Sequence, residues 1–480
     1  MKHLITFCIL LSSHAYTQWQ PDIRLTNNPG YSFTSYNNAW CIAAGVNNVH
    51  VVWIDQRDGN GGEVYYKRST DEGTNWESDV RLTINSAISF APSVAVSGQI
   101  VHVVWYDERD GNQEIYYKRS TDGGISWSTD TRLTIENTSS LYPSITVSGQ
   151  IVHVVWYDTR NFNEEVYYKR STDGGATWGA DSRLTIDPSS GCYLPSVSVS
   201  GSNVHVAWEN DGAINPEIYH MSSTDGGTNW GSVTRLTNDS ADSYNACVAV
   251  SGTAVHVVWW DIRDGNKEIY CKNSTDGGLS WGADIRLTNN PANSENPSVS
   301  VSGQSVHVVW FDTRDGNTEI YYKYSSDGGI NWGSDQRLTN NSEGSGRPSV
   351  SVSGSKVHVL WYDFRDGGDP EIYYKRNPTG NPIGIINVNE EIPGAFSLFQ
   401  NYPNPFNPTT NINFSIPKSG MVKLLVYDIL GKQVYELVNG NYNAGSYKVD
   451  FDATFLSSGV YLYKIEADGF TEVKKMILVK

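Results

Sequence analysis

The chain is poor in cysteine, has no long apolar run and carries no excess of positive charge. It has five cysteines in 480 residues and no Cys-x-x-Cys pair or Cys/His cluster, so nothing suggests a metal site. No run of 18 or more apolar residues occurs, which excludes a membrane-spanning helix. Lys and Arg number 35 against 52 Asp and Glu, a formal charge of −17. Such a surface repels phosphate backbones and anionic lipid, so nucleic acid and peripheral membrane are excluded as partners. The start, Met1-Lys2-His3 followed by apolar Leu4 to Leu11 and Ser13-His14-Ala15, reads as a secretory signal over residues 1–15. A buried first strand is the other reading, but strand-forming repeats begin only at Trp19.

What is present is a unit of about 51 residues that recurs seven times. Its histidine falls at His50, His102, His153, His205, His256, His307 and His358. The arginine of its Arg-Leu-Thr segment falls at Arg24, Arg81, Arg132, Arg183, Arg235, Arg286 and Arg337. One such arginine therefore precedes the first histidine, and none follows the last. A linear array has no need of that offset, whereas a ring whose last sheet is completed by the N-terminus does. Within each unit the apolar residues alternate as in a strand covered on both faces (Val101, Val103, Trp105 against His102, Val104, Tyr106). Ser97-Gly98 and Asp110-Gly111 mark turns. The expected strands are Ser93–Ser97, His102–Asp107, Glu114–Ser120 and Trp127–Thr134, with Trp19–Thr26 as the fourth strand of the last sheet. The fold class is all-β: a seven-bladed β-propeller over residues 16–376, closed by the N-terminal strand. After a Pro/Gly/Asn-rich linker at 377–395, residues 396–480 form a small β-sandwich. Cys247 and Cys271 belong on the first and third strands of one sheet, too far apart to bridge. Cys192 and Cys247 lie on adjacent units, either paired or buried singly.

The turn after the third strand carries Ser-x-Asp-x-Gly-x-x-Trp six times, with its carboxylate at Asp71, Asp122, Asp173, Asp225, Asp276 and Asp327. This motif resembles the Asp-box, or BNR repeat, of sialidases and related propellers. Its chemistry is structural: the carboxylate accepts from turn amides, the glycine takes a positive φ and the tryptophan packs over the hairpin. The tail carries Asn401-Tyr402-Pro403-Asn404-Pro405-Phe406-Asn407-Pro408, Val426-Tyr427-Asp428-Ile429-Leu430-Gly431, Ser458-Gly459-Val460-Tyr461 and Lys474-Lys475-Met476. It resembles the type A sorting domain of type IX secretion. That resemblance implies engagement of the secretion machinery through residues 396–480, and release outside the cell or attachment to the outer-membrane surface.

The sialidase resemblance implies a carboxylate clamp of three arginines, a tyrosine nucleophile with a glutamate, and an aspartic acid/base, all breaking the repeat. The family's Phe/Tyr-Arg-Ile-Pro stretch is missing, since the N-terminal Asp22-Ile23-Arg24-Leu25-Thr26 is the repeat's own. Of ten histidines only His220 lies outside the repeat set and the leading segment, so a histidine base is not expected. No catalytic residue is singled out by spacing. Candidate ligand contacts lie where the loops after the second strand meet the inter-repeat loops. Six repeats carry Asp-x-Arg there, with Arg57, Arg109, Arg160, Arg263, Arg314 and Arg365; the fourth has Glu209-Asn210-Asp211-Gly212 instead. These pairs read as bridges that tie each loop down, as cationic forks for an anionic glycan or peptide carboxylate, or as part of an oxygen-rich calcium loop. Phe90, Tyr142, Tyr193 and Tyr244 enter successive repeats at nearly matching positions, suited to sugar stacking or to packing on the next repeat. No cofactor is expected beyond that calcium alternative. The functional expectation is a secreted or surface module that binds a glycan or a protein; the alternative is a glycoside hydrolase on extracellular glycans.

Overall fold

The computed structural model describes residues 19–35, 40–59, 61–187, 189–212, 215–378, 386–389, 392–442, 444–453 and 456–480. The expected signal segment lies outside the described residues. The chain divides into two compact units, one built mainly from Pro21–Gly380 and the other from Asn381–Val438 and Asn443–Lys480. Every regular element among the described residues is a strand.

The larger unit holds seven antiparallel sheets of four or five strands among the described residues. In the second repeat, Ser89–Ser97, Ile100–Asp107, Glu114–Ser120 and Thr131–Arg132 pair in that order. Such sheets, repeated at constant period, are the units of a β-propeller. The first strand is longer than expected because a bulge between Phe90 and Ser93 lets the pairing resume toward Ser89. The fourth is shorter, two residues instead of eight. Bonds to the third strand nevertheless continue on both sides of it, from Ser128 N to Arg119 O at 2.8 Å and from Leu133 N to Ile115 O at 2.7 Å.

Sheets lock to their neighbours through repeated contacts. The histidine of the second strand meets the tyrosine of the third: His102 Nδ1 lies 2.8 Å from Tyr117 Oη. That tyrosine receives the Asp-box tryptophan of the following sheet edge-on, as Trp178 packs on Tyr117 at 4.9 Å. The Asp-box glycine must be glycine. Gly175 has φ +80°, and a Cβ there would fall 1.9 Å from Tyr117 Oη. Nearer the strand starts, Ile145 N donates to Ser93 Oγ, Val197 N to Ser144 Oγ and Val248 N to Ser196 Oγ. The same links join the last sheet to the first. Trp76 packs on Tyr374 at 4.8 Å, and Cys41 N donates to Ser349 Oγ at 3.2 Å.

The last sheet, Ser345–Ser353, Lys356–Asp363 and Glu371–Asn377, is completed by Ile23–Arg24. Ile23 pairs with Tyr374 and Arg24 with Tyr373. Leu25 N donates to Ile372 O at 2.8 Å, and Arg24 Nη2 reaches Glu371 Oε1 at 2.6 Å. These bonds copy Leu133 N to Ile115 O and Arg132 Nη2 to Glu114 Oε1 in the second repeat.

Cys41, Cys192, Cys247 and Cys271 are all free and buried, so the Cys192–Cys247 pairing is not formed. In the smaller unit one sheet orders Ile386–Asn389, Gly445–Asp452, Thr409–Ile416 and Ser397–Leu398, and the other Gln433–Tyr442, Gly420–Tyr427, Gly459–Ala467 and Phe470–Leu478. The first of these strands falls inside the expected linker, where the alternating Ile386-Asn387-Val388-Asn389 suits an edge strand.

The buried histidines make stability fall with acid. Burial pushes His50, His153 and His205 down to about 4, and His102, His220, His307 and His358 down to about 3. The folded state keeps them neutral while the unfolded chain takes up protons below its usual 6.5, so stability is complete above that pH and is lost as pH falls toward 4. Each histidine contributes ~1.4 kcal/mol per pH unit over this window. The melting temperature should drop steeply from pH 6.5 to pH 5; a flat profile would contradict the burial described. Asp22→Ala should cost about 2 kcal/mol in denaturant unfolding, because it strips Arg365 and Lys375 of a shared partner.

Candidate functional site

The loops that leave the second strands and the segments that enter the first strands share one end of the sheets. Each Asp-x-Arg pair there belongs to a quartet. Arg109 Nη2 donates to Asp107 Oδ2 at 2.6 Å and Nε to Asp107 Oδ1 at 2.8 Å, while Nη1 reaches Asp130 Oδ2 at 2.7 Å. Lys118 closes the set on Asp130 Oδ1 at 2.8 Å. The guanidinium lies over the Tyr116 ring at 4.3 Å, and Trp105 Nε1 donates to Asp107 Oδ2 at 2.9 Å. Burial works against ionisation of Asp107, but the bonds from Arg109, Trp105 and Ser89 outweigh it and hold its carboxyl below the usual range. Arg57, Arg160, Arg263, Arg314 and Arg365 repeat this arrangement with Asp79, Asp181, Asp284, Asp335 and Asp22 as second partners. Each of the six guanidiniums therefore holds at least two carboxylates and one ring, and Arg160 reaches a third carboxylate, Glu136, at 3.0 Å.

The oxygens of the same loop are also engaged. Asp110 accepts from Tyr116 Oη, and Asn112 Nδ2 donates to Glu136 O at 3.1 Å and Thr138 O at 2.6 Å. At the opposite end, Asp122 accepts from Ser126 Oγ and N, Ser120 Oγ and Ile125 N, which hold its carboxyl well below the carboxylate range. The other five Asp-box residues accept in the same pattern.

The repeat-breaking residues gather at the same end of the sheets as the quartets, at the mouth of a pocket of about 570 Å³ lined from five successive sheets. Its aromatic wall is Tyr142, Tyr157, Tyr193, Phe311 and Tyr362; its polar groups are Glu209, Asn245, Glu295, Asn296 and Arg347. Two features place them. The next-to-last residue of the second strand supplies Tyr157, Glu209, Phe311 and Tyr362. The first-strand bulge supplies Tyr142, Leu194, Asn245, Asn296 and Arg347, with φ between +46° and +55°. A non-glycine residue rarely takes that conformation; here the bulge re-aims each side chain into the mouth.

Of the four aromatics expected at this end, Tyr142 and Tyr193 line the pocket. Phe90 packs on Tyr106 at 5.8 Å, and Tyr244 on Trp260 at 4.6 Å. Tyr142 stacks on Tyr157 at 5.8 Å, and Tyr157 meets Tyr193 edge-on at 5.5 Å. Arg347 lies 5.6 Å over the Tyr362 ring, and Glu295 pairs with Lys267 at 2.8 Å. Glu209 Oε2 accepts from Asn245 N at 2.9 Å. Burial among these rings pushes the Glu209 carboxyl up to about 7, helped by nearby Asp211 and opposed by the Asn245 bond. Sequence reasoning met Glu209 only as part of the fourth repeat's departure from Asp-x-Arg, and missed Asn245, Glu295, Asn296 and Arg347. The signal was there: flanking serines and prolines recur while the bulge residue varies from Ala91 to Arg347.

If the quartets chiefly hold the loops, Arg109→Ala should cost about 3 kcal/mol in denaturant unfolding, because the fully buried Asp107 loses its cation. A stability loss within experimental error would show that the loop stands without it.

Two family models match the chain. The BNR repeat-like domain matches residues 7–257, more than half of the chain, and the secretion system C-terminal sorting domain matches residues 400–480. No curated protein matches. Among solved structures, the polysaccharide lyase Uly1 aligns with a TM-score of 0.53 at 11% identity, over 76% of this chain and 100% of that one. The sialidase of Trypanosoma rangeli aligns with a TM-score of 0.43 at 12% identity, over 84% and 86%. The leech intramolecular trans-sialidase aligns at 0.42 and 12%, over 72% and 69%. The sorting domain marks the chain for type IX secretion, to the outside of the cell or the outer-membrane surface. By the extent of its repeat match, the chain belongs to the BNR repeat-like domain family.

Proposed function

We propose that the larger unit is a closed ring of seven blades whose mouth binds an extracellular glycan. Three observations support the ring: Ile23–Arg24 completes the last sheet, Trp76 packs on Tyr374, and Cys41 donates to Ser349. The glycan reading is carried by the pocket. Its volume falls within the ~300–1,000 Å³ usual for small-ligand sites. Flat tyrosine rings beside Asn245, Asn296, Glu209 and Arg347 offer stacking faces and hydrogen-bond partners together, as a ring of hydroxyls on an apolar sugar face requires. The six loop arginines brace this mouth, and the ligand meets the aromatic wall. The sorting domain delivers the ring to the compartment where such glycans occur.

The test is a glycan array on the secreted protein, followed by calorimetry on the best ligand. Tyr193→Ala and Tyr362→Ala should each weaken binding about tenfold, the ~1.4 kcal/mol of one stacked ring. Failure of the wild-type protein to bind any glycan would refute the reading.

A further inference from the structure

The smaller unit carries an apolar feature that its folding does not require. Strands Gly420–Tyr427 and Gln433–Tyr442 are joined through Asp428-Ile429-Leu430-Gly431-Lys432. The turn is built by its first and fourth residues. Asp428 Oδ1 accepts from Leu430 N and Lys432 N, both at 2.9 Å, and Asp428 N donates to Lys432 O at 2.9 Å. Gly431 supplies the positive φ, +78°. The side chains of Ile429 and Leu430 are not used in those bonds and stand 70% and 88% exposed. The sheet's other tight hairpin, between Gly459–Ala467 and Phe470–Leu478, turns through the polar Asp468-Gly469. Polar residues would close the first turn equally well, so the fold gives no reason for an apolar pair held in water; a partner does.

Two more exposed apolar side chains lie at the same end of the sheet. Tyr427 pairs with Leu462 and Val460 with Ile477, which places Val460 and Val479 at the end that bears the turn. They are 39% and 49% exposed. Lys432 closes the turn, and Lys475 pairs with Leu462 on the last strand; both are exposed. Charge sets this domain apart from the rest of the chain. Residues 400–480 hold eight lysines against seven aspartates and glutamates, a net +1 in a chain whose total is −17. A receptor with carboxylates around an apolar cleft would repel the acidic remainder and accept this end. We infer that Ile429 and Leu430 are the side chains by which the sorting domain is gripped, inserting into an apolar cleft rimmed by carboxylates on a protein of the type IX machinery. The inference rests on the sorting-domain match and is independent of the pocket and its ligand.

The test follows export of the full chain from cells that have the machinery. Ile429→Ser combined with Leu430→Ser should lower the amount reaching the outside about tenfold, with the missing protein held in the periplasm. Met421→Ser, at an exposed side chain on the opposite end of the same sheet, should leave export unchanged. The purified double variant should melt with the wild type, because the turn keeps Asp428 and Gly431. A second measurement decides even if that variant is less stable. A photo-crosslinking residue in place of Leu430 should yield, in exporting cells, an adduct with a component of the machinery, and Lys432→Glu with Lys475→Glu should diminish it. Export of the double variant at the wild-type level would overturn the inference. So would an adduct formed only with lipid or only with a second copy of this chain.

Discussion

The two-residue pairing of Ile23 and Arg24 with Tyr374 and Tyr373 joins segments about 350 residues apart, and the mouth depends on it. Beyond this strand the N-terminal segment continues into the site itself. Thr34 Oγ1 donates to Arg347 O at 2.8 Å, and Phe33 meets the Tyr362 ring at 5.5 Å. Arg347 and Tyr362 both line the pocket. A frayed N-terminus would leave the edge of the last sheet open and loosen one wall of the pocket at once. The convergence of several sheets also explains why a pocket can exist here. Each of the five lining sheets presents one to three side chains to the pocket, and a ligand-sized concavity needs several sheets to converge.

The repeats serve as internal controls for one another. In six sheets an Asp, an Arg, a second Asp and a Lys form one ionic quartet. The fourth sheet has Asn210, Gly212, Val233 and Met221 at the corresponding places, and none of the four charges remains. That all-or-none loss is what buried ion networks demand, since removing one member strands the others. Trp208 Nε1, which in the other sheets donates to the aspartate, has no partner among the described residues. This same sheet carries Glu209 and His220, whose Nε2 sits 3.0 Å from His205 Nδ1. The fourth repeat is thus the one in which regularity gave way, and it contributes Glu209 to the pocket.

Much of the fold was legible because its determinants are local and sevenfold. The period, the strand residues, the Asp-box turns and the N-terminal segment's match to Arg81-Leu82-Thr83 all follow from spacing. The Asp-x-Arg motif was visible too, but its partners were not: Asp130 lies about twenty residues from Arg109, and its role appears only once the fourth strand is placed. The pocket was hidden for a deeper reason. Tyr142, Glu209, Asn296 and Arg347 stand one repeat or more apart, on four sheets, and only the packing of those sheets brings them together. The bulge at Phe90–Ser93 and its equivalents also defeats simple alternation, because it turns a residue that period two would assign to one face toward the mouth.

Native-state hydrogen exchange at the amides of Leu25 and Ile372 tests the central claim most directly. Leu25 N donates to Ile372 O, and Ile372 N to Thr26 Oγ1, both at 2.8 Å. If the N-terminal strand closes the ring, both amides should exchange only through global unfolding, with the same protection as the buried strand Lys356–Asp363. Exchange at the rate of an open chain end, with Lys356–Asp363 still protected, would contradict the account.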